Sequence, residues 1–477
     1  MNDASHDPAP DGGRASGDRL DRALAALVAE LGADCVLAGA AVAERQTADW
    51  SGAPAVLPPA LLLPRTPAQV AAALRVCASF GQPLAVQGGL SGLAGGANAQ
   101  PGEIALSLAR LNAIEDIDDL GGTALVQAGV SLAQLQDAAQ ARGWFFPLDL
   151  GARGSCQLGG NAATNAGGNR VVRFGMMRES VLGIEVALAD GRLLTMLDRV
   201  VKNNAGFDLK HLFVGSEGTL GVITRLALRL VPQPTAGCTV LCAVRDFPAA
   251  TRLLRRARAS LAELTAFELM WRDFFDASAE AIGAASPFAE AHPLYVLIET
   301  LGGDAEGGAA AVERFLEAAL EDGTVVDAVV AASLDQAARL WAFREGIAEL
   351  LPRVRPYATF DVSVAMPLMD GLVGRLRALL AEHHPTRRHF FFGHLGDNNL
   401  HMVCGPLDAP GEFEALEERV YREVGLAGGS ISAEHGIGTV KKAFLHESRD
   451  EPQLALMRGL KALLDPRGIL NPGRVVG

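Results

Sequence analysis

No Cys-x-x-Cys pair occurs in this chain, and its six cysteines (Cys35, Cys77, Cys156, Cys238, Cys242 and Cys404) follow no framework spacing. That argues against a disulfide scaffold, and the thiols read as small buried hydrophobes in a reducing compartment. Long apolar runs are missing too. No stretch approaches the roughly eighteen apolar residues of a membrane span, so no transmembrane helix is expected. Residues 1–18 are rich in Asp, Gly and Pro and lack the apolar core of a signal peptide, so they read as a disordered tail. Nor is there an excess of positive charge. Lys and Arg number 42 against 55 Asp and Glu, a net charge of −13, which argues against nucleic acid as a partner. The expected setting is the cytoplasm, with peripheral contact at a membrane left open. At 477 residues the chain is too long for one compact core, and two or three domains are expected.

Glycine, by contrast, is plentiful: 53 residues, above the average of roughly 7%. The excess is concentrated in 81–175. A short strand, Leu84-Ala85-Val86, runs into Gln87-Gly88-Gly89-Leu90-Ser91-Gly92-Leu93-Ala94-Gly95-Gly96. Such a loop is either a nest of backbone N–H groups for an anion such as a diphosphate or a flexible glycine-rich turn. It is not a phosphate loop of the Walker type, because no Lys-Ser/Thr follows. It is not the Rossmann GxGxxG either, because the spacing is wrong. A second segment, from Pro147 to Asn169, is built of small residues with no charge between Arg153 and Arg170. A chain that small can lie flat against a large aromatic ring and offer it backbone donors. Thr66 and Ser131 are placed to cap helices, with Pro67 as a first helical residue. The elements of 19–233 do not form a regular βαβ repeat and point to an α+β nucleotide-binding domain. Beyond the linker Pro232-Gln233-Pro234-Thr235, strands and helices alternate as in an antiparallel sheet covered by helices on one face.

The chemistry concentrates near the C-terminus, in Gly393-His394-Leu395-Gly396-Asp397-Asn398-Asn399-Leu400-His401 and in Ser432-Ala433-Glu434-His435-Gly436. A spacing of seven suits neither a straight strand nor one helix face. A hairpin with 396–399 as its turn would pair Leu395 with Leu400 and His394 with His401, putting both imidazoles on one sheet face. Phe392 and Val403 would be the next pair on that face and are candidate pocket walls. Two His and one carboxylate are the ligand set of an open divalent metal site. At this level two ordinary strand histidines and a surface Glu-His pair remain the alternative.

Six ordered segments, 87–96, 148–168, 208–224, 394–401, 432–438 and 465–473, together resemble the FAD-linked 2-hydroxyacid dehydrogenases of the vanillyl-alcohol oxidase/p-cresol methylhydroxylase superfamily. The pattern is most similar to the D-2-hydroxyglutarate and D-lactate dehydrogenase branches and runs from about residue 40 to the end. The resemblance implies an α+β architecture: a two-part FAD-binding domain (19–233), a substrate or cap domain with an antiparallel sheet (234–385), and a C-terminal part (386–477) that carries the metal site and packs its last helix back on the FAD domain. It implies that Gln87, Gly88, Gly89, Leu90, Ser91 and Gly92 hold the FAD diphosphate. Leu150, Gly151, Ser155, Gly159, Gly160, Thr164 and Gly168 would line the isoalloxazine and ribityl chain. Glu217, Gly221, Val222 and Ile223 would sit by the adenine, and Asn471 near the flavin ring. His394, His401 and Glu434 match the family's zinc ligands, His435 its catalytic base, and Arg344 the arginine that holds the substrate carboxylate. The flavin is expected to be noncovalent, because no His or Cys stands in the 88–96 loop.

Three departures bear on substrate. Ala348 stands where hydroxyglutarate dehydrogenases carry Thr, Thr359 where they carry Lys, and Val403 where they carry Asn. A distal carboxylate would lose its cation, at a penalty of a few kcal/mol. The expected substrate is therefore a D-2-hydroxyacid with an uncharged or apolar side chain, such as D-lactate or a larger homologue. The competing readings are a hydroxyglutarate or malate dehydrogenase with its second cation from Arg353 or Arg355, and a flavin- and metal-binding subunit without turnover. In the loop 87–96, Leu90 stands where Asn is usual. The resemblance also implies an electron acceptor such as an electron-transfer flavoprotein, a quinone or a cytochrome. A homodimer is compatible with the sequence.

Overall fold

Signals at helix ends translate directly into structure. The protein is described here by a computed structural model covering residues 12–476. Thr66 caps the helix Pro67–Phe80, its side chain accepting from the Gln69 amide, and Gly81 ends it in the left-handed conformation at φ 62°. Ser131 and Gln134 form a capping box at the head of Leu132–Gln140. Residues 1–11 of the expected tail lie outside the described residues. Residues 12–18 are helical instead, as the start of Gly12–Leu31. The stripe Leu20, Leu24, Leu27 and Leu31 docks on the first core, and once a helix is anchored its propagation adds one hydrogen bond per residue fixed.

That first core is enclosed by two sheets. Four short strands lie in the order Val36–Ala38, Ala60–Leu62, Ile104–Ser107, Leu84–Gln87, with the last two pairings parallel. Five antiparallel strands lie in the order Ile114–Asp118, Thr123–Gln127, Val222–Arg229, Val181–Ala187, Leu193–Met196. Their buried side chains form one continuous cluster that also takes in Ile469 and Leu470 from the far end of the chain. The helix Glu451–Leu464 brings them back. Its Lys461 donates to the Thr219 carbonyl at 2.9 Å, and Leu470 bridges to Leu84.

The second core is organised by one antiparallel sheet of seven strands. Their order is Asp327–Val330, Ala236–Val244, Leu294–Gly302, Leu264–Trp271, Arg388–His394, Asn399–Gly405, Ala358–Ser363. A boundary at 385 therefore falls inside a single sheet. Helices cover both of its faces, not one as expected. Phe247–Ser260, Ala305–Glu321, Met366–His383 and Glu412–Leu426 pack on one side. Arg272–Ile282 and Leu334–Glu345 pack on the other. The central strand Leu264–Trp271 shows why. All of its residues are buried, so both faces need cover. Among the described residues no helix is long and apolar enough to cross a membrane.

Candidate active site

Four adjacent segments of the seven-stranded sheet place four ionisable side chains in a row. Glu268 is the registered partner of His394, and Asp361 is the registered partner of His401. The order across the sheet is thus carboxylate, imidazole, imidazole, carboxylate. Registered partners share a face; it is the one on which Leu334–Glu345 packs, and its Glu299 meets Arg170 of the first domain at 3.8 Å. The hairpin register differs from the sequence expectation. His401 pairs with Phe392, and Val403 pairs with Phe390, a shift of two residues from the expected pairing of Phe392 with Val403. The cause lies in the turn. Residues Leu395–Asp397 coil into one tight helical turn closed by Asn398 at φ 71°, and Leu395 buries itself in the core on the opposite side. A slip of two preserves the face, whereas a slip of one would have reversed it. His394 and His401 therefore still converge, with ring centroids 5.2 Å apart and planes at 82°.

Glu434 enters the same space from the segment 430–438. The ligand atoms of His394, His401 and Glu434 all lie within 4.8 Å of one another, and His394 Nε2 is 3.8 Å from a Glu434 oxygen. Tetrahedral ligands at about 2.1 Å from a metal sit roughly 3.4 Å apart, so modest closure would form a site. The electrostatics of these groups would favour a bound cation. Burial pushes the Glu434 carboxyl up to about 7, against the pull of His394. Burial alone would lower His394, but Glu268 beside its Nδ1 raises it to about 9. Burial and the neighbouring His394 charge hold His401 well below its usual range. A divalent ion would displace the His394 proton and relieve the buried carboxylate.

His435 and Arg344 flank this cluster. Asp361 receives the backbone amides of Glu434 and His435 at 2.9 and 3.1 Å on one oxygen, and the Asn399 side-chain Nδ2 at 2.8 Å on the other. His435 Nδ1 stands 3.4 Å from the same carboxylate, and buried Lys441 at 3.8 Å. Burial would raise Asp361, but His435 and Lys441 hold it far below the usual range. Burial lowers His435, which favours the neutral ring. Arg344 lies in the last turn of the helix Leu334–Glu345 with only 7% exposure. Its Nε donates to Glu268 at 2.7 Å, its Nη2 is 3.4 Å from His394 Nε2, and its guanidinium lies 4.6 Å over the Phe392 ring. With Nε committed, the fork left for an incoming carboxylate is the terminal pair of nitrogens. Glu268, Asp361 and Lys441 escaped the sequence reading as functional groups. For Glu268 and Asp361 the available signal was a single acid in a short strand with no other charge.

The two glycine segments lie back to back beside this cluster. A Cβ on Gly89 would fall 2.0 Å from the Ser155 carbonyl oxygen, and one on Gly168, at φ +141°, 1.9 Å from the Asp149 carbonyl oxygen. Neither position accepts a side chain. Gly151, Gly154 and Gly160 face open space, and the Gln157 side-chain oxygen above Gly88 is buried without a partner. A backbone-lined cradle with an orphaned acceptor suits a flat, polar-edged cofactor. Leu90 takes a left-handed turn at φ 55°. Gln87 instead braces the loop by donating to the Thr47 and Ala97 carbonyls. Ser155 and Thr164 bond to the Ala152 and Gly160 carbonyls. Gly159 packs on Ala128, and Gly92 approaches Asp49. Leu150 packs on the first core, Val222 and Ile223 lie within it, and Gly221 fits against Val186 and Phe213.

Two side chains tie this cradle to the C-terminal segment. Glu217 accepts from the Ile437 and Gly438 amides, both at 2.7 Å. Asn471 accepts from the Val86 amide and donates to the Glu217 carbonyl. A Cβ on Gly167 would lie 2.9 Å from Glu434 Oε1, so the second glycine segment abuts the ligand cluster itself.

The residues that depart from the hydroxyglutarate pattern divide in space. Thr359 and Val403 are registered partners one step beyond Asp361 and His401 on the same face. Val403 is buried with Phe390 and Phe392, while Thr359 and Ala348 are exposed. Arg353 is turned away to the Ala281 carbonyl, and Arg355 lies over Tyr357.

Comparisons with known proteins agree with this architecture. Residues 58–197 match the FAD binding domain family, and residues 233–475 match the C-terminal domain of FAD linked oxidases. The chain is 42% identical to the D-2-hydroxyglutarate dehydrogenase of Xanthomonas citri pv. viticola, over 90% of this chain and 91% of that one. It is likewise 42% identical to the mitochondrial D-2-hydroxyglutarate dehydrogenase of Bos taurus, over 87% of this chain and 76% of that one. The fold is shared with substrate-bound p-cresol methylhydroxylase at a TM-score of 0.77, with 17% identity and coverage of 96% and 97% of the two chains. With two domain families spanning most of its length and such relatives at 42% identity, the chain belongs to the FAD-linked oxidases and is an FAD-dependent oxidoreductase of the vanillyl-alcohol oxidase fold.

Proposed function

We propose that this protein oxidises a D-2-hydroxyacid to the 2-oxoacid, with a divalent metal assisting removal of the hydroxyl proton. The observation that carries the reading is the abutment of two site halves: the His394/His401/Glu434 cluster, flanked by Arg344 and His435, touches the glycine segment at Gly167. When bound, FAD supplies a hydride acceptor, and a cation such as zinc supplies a Lewis acid that lowers the hydroxyl pKa. His394, His401 and Glu434 would hold that cation, leaving positions for substrate oxygens. Arg344 binds the C1 carboxylate through its two terminal nitrogens and orients C2. His435, held at Nδ1 by Asp361, accepts the hydroxyl proton at Nε2. The electrons leave to a separate acceptor, such as an electron-transfer flavoprotein, a quinone or a cytochrome.

Dialysis against a strong chelator is expected to abolish turnover while the yellow flavin stays bound, and added zinc should restore it. Full activity in protein shown to be metal-free would contradict the metal's role.

The substrate side chain is uncharged in this reading. The Thr359–Val403 pair offers one hydroxyl and no cation, and Arg353 is engaged elsewhere. The relatives are named for a dicarboxylate substrate, so the two readings are directly comparable. In a series of D-lactate, D-2-hydroxyisocaproate, D-mandelate, D-malate and D-2-hydroxyglutarate, kcat/KM is expected to favour the monocarboxylates. Introducing Thr359→Lys with Val403→Asn should shift the ratio towards D-2-hydroxyglutarate by about 10²-fold, the worth of roughly 2–3 kcal/mol from a regained charge-assisted contact. A wild-type preference for either dicarboxylate would overturn the assignment.

A further inference from the structure

The strongest feature outside the residues already given roles is Glu268. It is fully buried at the centre of the sheet, and its two oxygens are used separately. One accepts from Arg344 Nε at 2.7 Å, and the other meets His394 Nδ1 at 2.7 Å. We propose that Glu268 is a positioning residue, a two-armed clamp that couples recognition of the substrate carboxylate to the geometry of the metal. This deepens the reading above and rests on it.

Leu264–Trp271 is apolar except for Thr265 and Glu268, and all its residues are buried. A carboxylate in such a place is strongly disfavoured unless paired and hydrogen-bonded. Both pairings here go to groups with tasks of their own. By accepting from Nδ1–H, Glu268 favours the His394 tautomer whose Nε2 carries a lone pair, between Arg344 Nη2 and Glu434. Carboxylate partners of this kind orient a ligating histidine, and their loss typically weakens metal binding about 10–100-fold. By accepting from Arg344 Nε, the same carboxylate blocks side-on pairing of the guanidinium with any other acid. It aims the terminal nitrogens into the space beside His394. Phe392, 4.6 Å beneath the guanidinium, completes the fixation. Arg344 and His394 come from a helix and a strand 50 residues apart, and Glu268 links the two through one carboxylate.

The variants Glu268→Gln and Glu268→Asp test this. The amide can accept one proton but must turn its NH₂ towards the other donor. The aspartate keeps the charge but is one methylene too short to span both contacts. Each purified holoprotein is assayed for zinc affinity by competition with a chromophoric chelator, for KM and kcat with a D-2-hydroxyacid, and for flavin content by absorbance. The expected result is zinc affinity weakened about 10–100-fold together with a raised KM, at wild-type flavin content. Wild-type zinc affinity and wild-type KM in either flavin-loaded variant would overturn the clamp. Loss of flavin in both variants would also overturn it, by making Glu268 a structural charge only. His394→Ala is the control for the underlying reading. If it binds zinc as wild type does, the metal site fails and the clamp with it, whereas zinc lost in His394→Ala but unchanged in the Glu268 variants removes the clamp alone.

Discussion

Replacing His435 with asparagine is expected to lower kcat by about 10²–10⁴-fold, the usual worth of a positioned general base, with little change in KM or in flavin content. His435 lies beside the ligand cluster but is not one of its three ligands. Its backbone amide and its Nδ1 both face Asp361, which leaves Nε2 for the substrate. Burial also favours its neutral form. Asparagine can keep a polar contact to Asp361 but has no group that accepts the hydroxyl proton and holds it. Steady-state kinetics with flavin absorbance as a loading control measure the effect. A variant with more than a tenth of wild-type kcat would remove His435 from the role of base, and Glu434 would then be the next acceptor to test.

Arg344→Met is expected to act differently, raising KM and lowering kcat/KM by about 10²–10⁴-fold. Two charge-assisted hydrogen bonds to a carboxylate are worth roughly 1.5–3 kcal/mol each. The loss is sharpened because Glu268 keeps only His394 as a partner. Methionine preserves much of the volume above Phe392, so the helix Leu334–Glu345 should remain docked through Trp341, whose indole donates to Glu299 at 3.1 Å. The decisive comparison uses an alcohol without a carboxylate. Its slow oxidation should be nearly insensitive to Arg344→Met, because the arginine contributes only where there is a carboxylate to hold. Equal losses on both substrates would mean that Arg344 supports the site's structure and does not recognise substrate.

The elements legible in the sequence were those that rest on local physics. Thr66, Pro67 and Gly81 announce a helix through capping, and Ser131 with Gln134 does the same. The face shared by His394 and His401 was also readable, because side-chain alternation survives a register shift of two. The register itself was not, since it depends on Leu395 leaving the hairpin for a core supplied by distant helices. The same limit hid the helices on the second face of the large sheet, which answer to the full burial of Leu264–Trp271. Glu268 and Asp361 stand in buried strands where only partners distant in sequence justify them. Glu268 meets His394 across 126 residues, and Asp361 meets the His435 amide across 74. Glu217 and Asn471, expected at the cofactor, direct their side chains to protein backbone that closes the cradle.

Anaerobic mixing tests the account most directly. The yellow protein, zinc-loaded or chelated, is combined with a D-2-hydroxyacid or its L enantiomer while flavin absorbance is followed. Rapid bleaching is expected only for the D enantiomer and only with the metal in place. Equally fast bleaching in metal-free protein, or a flavin that no 2-hydroxyacid bleaches, would contradict it.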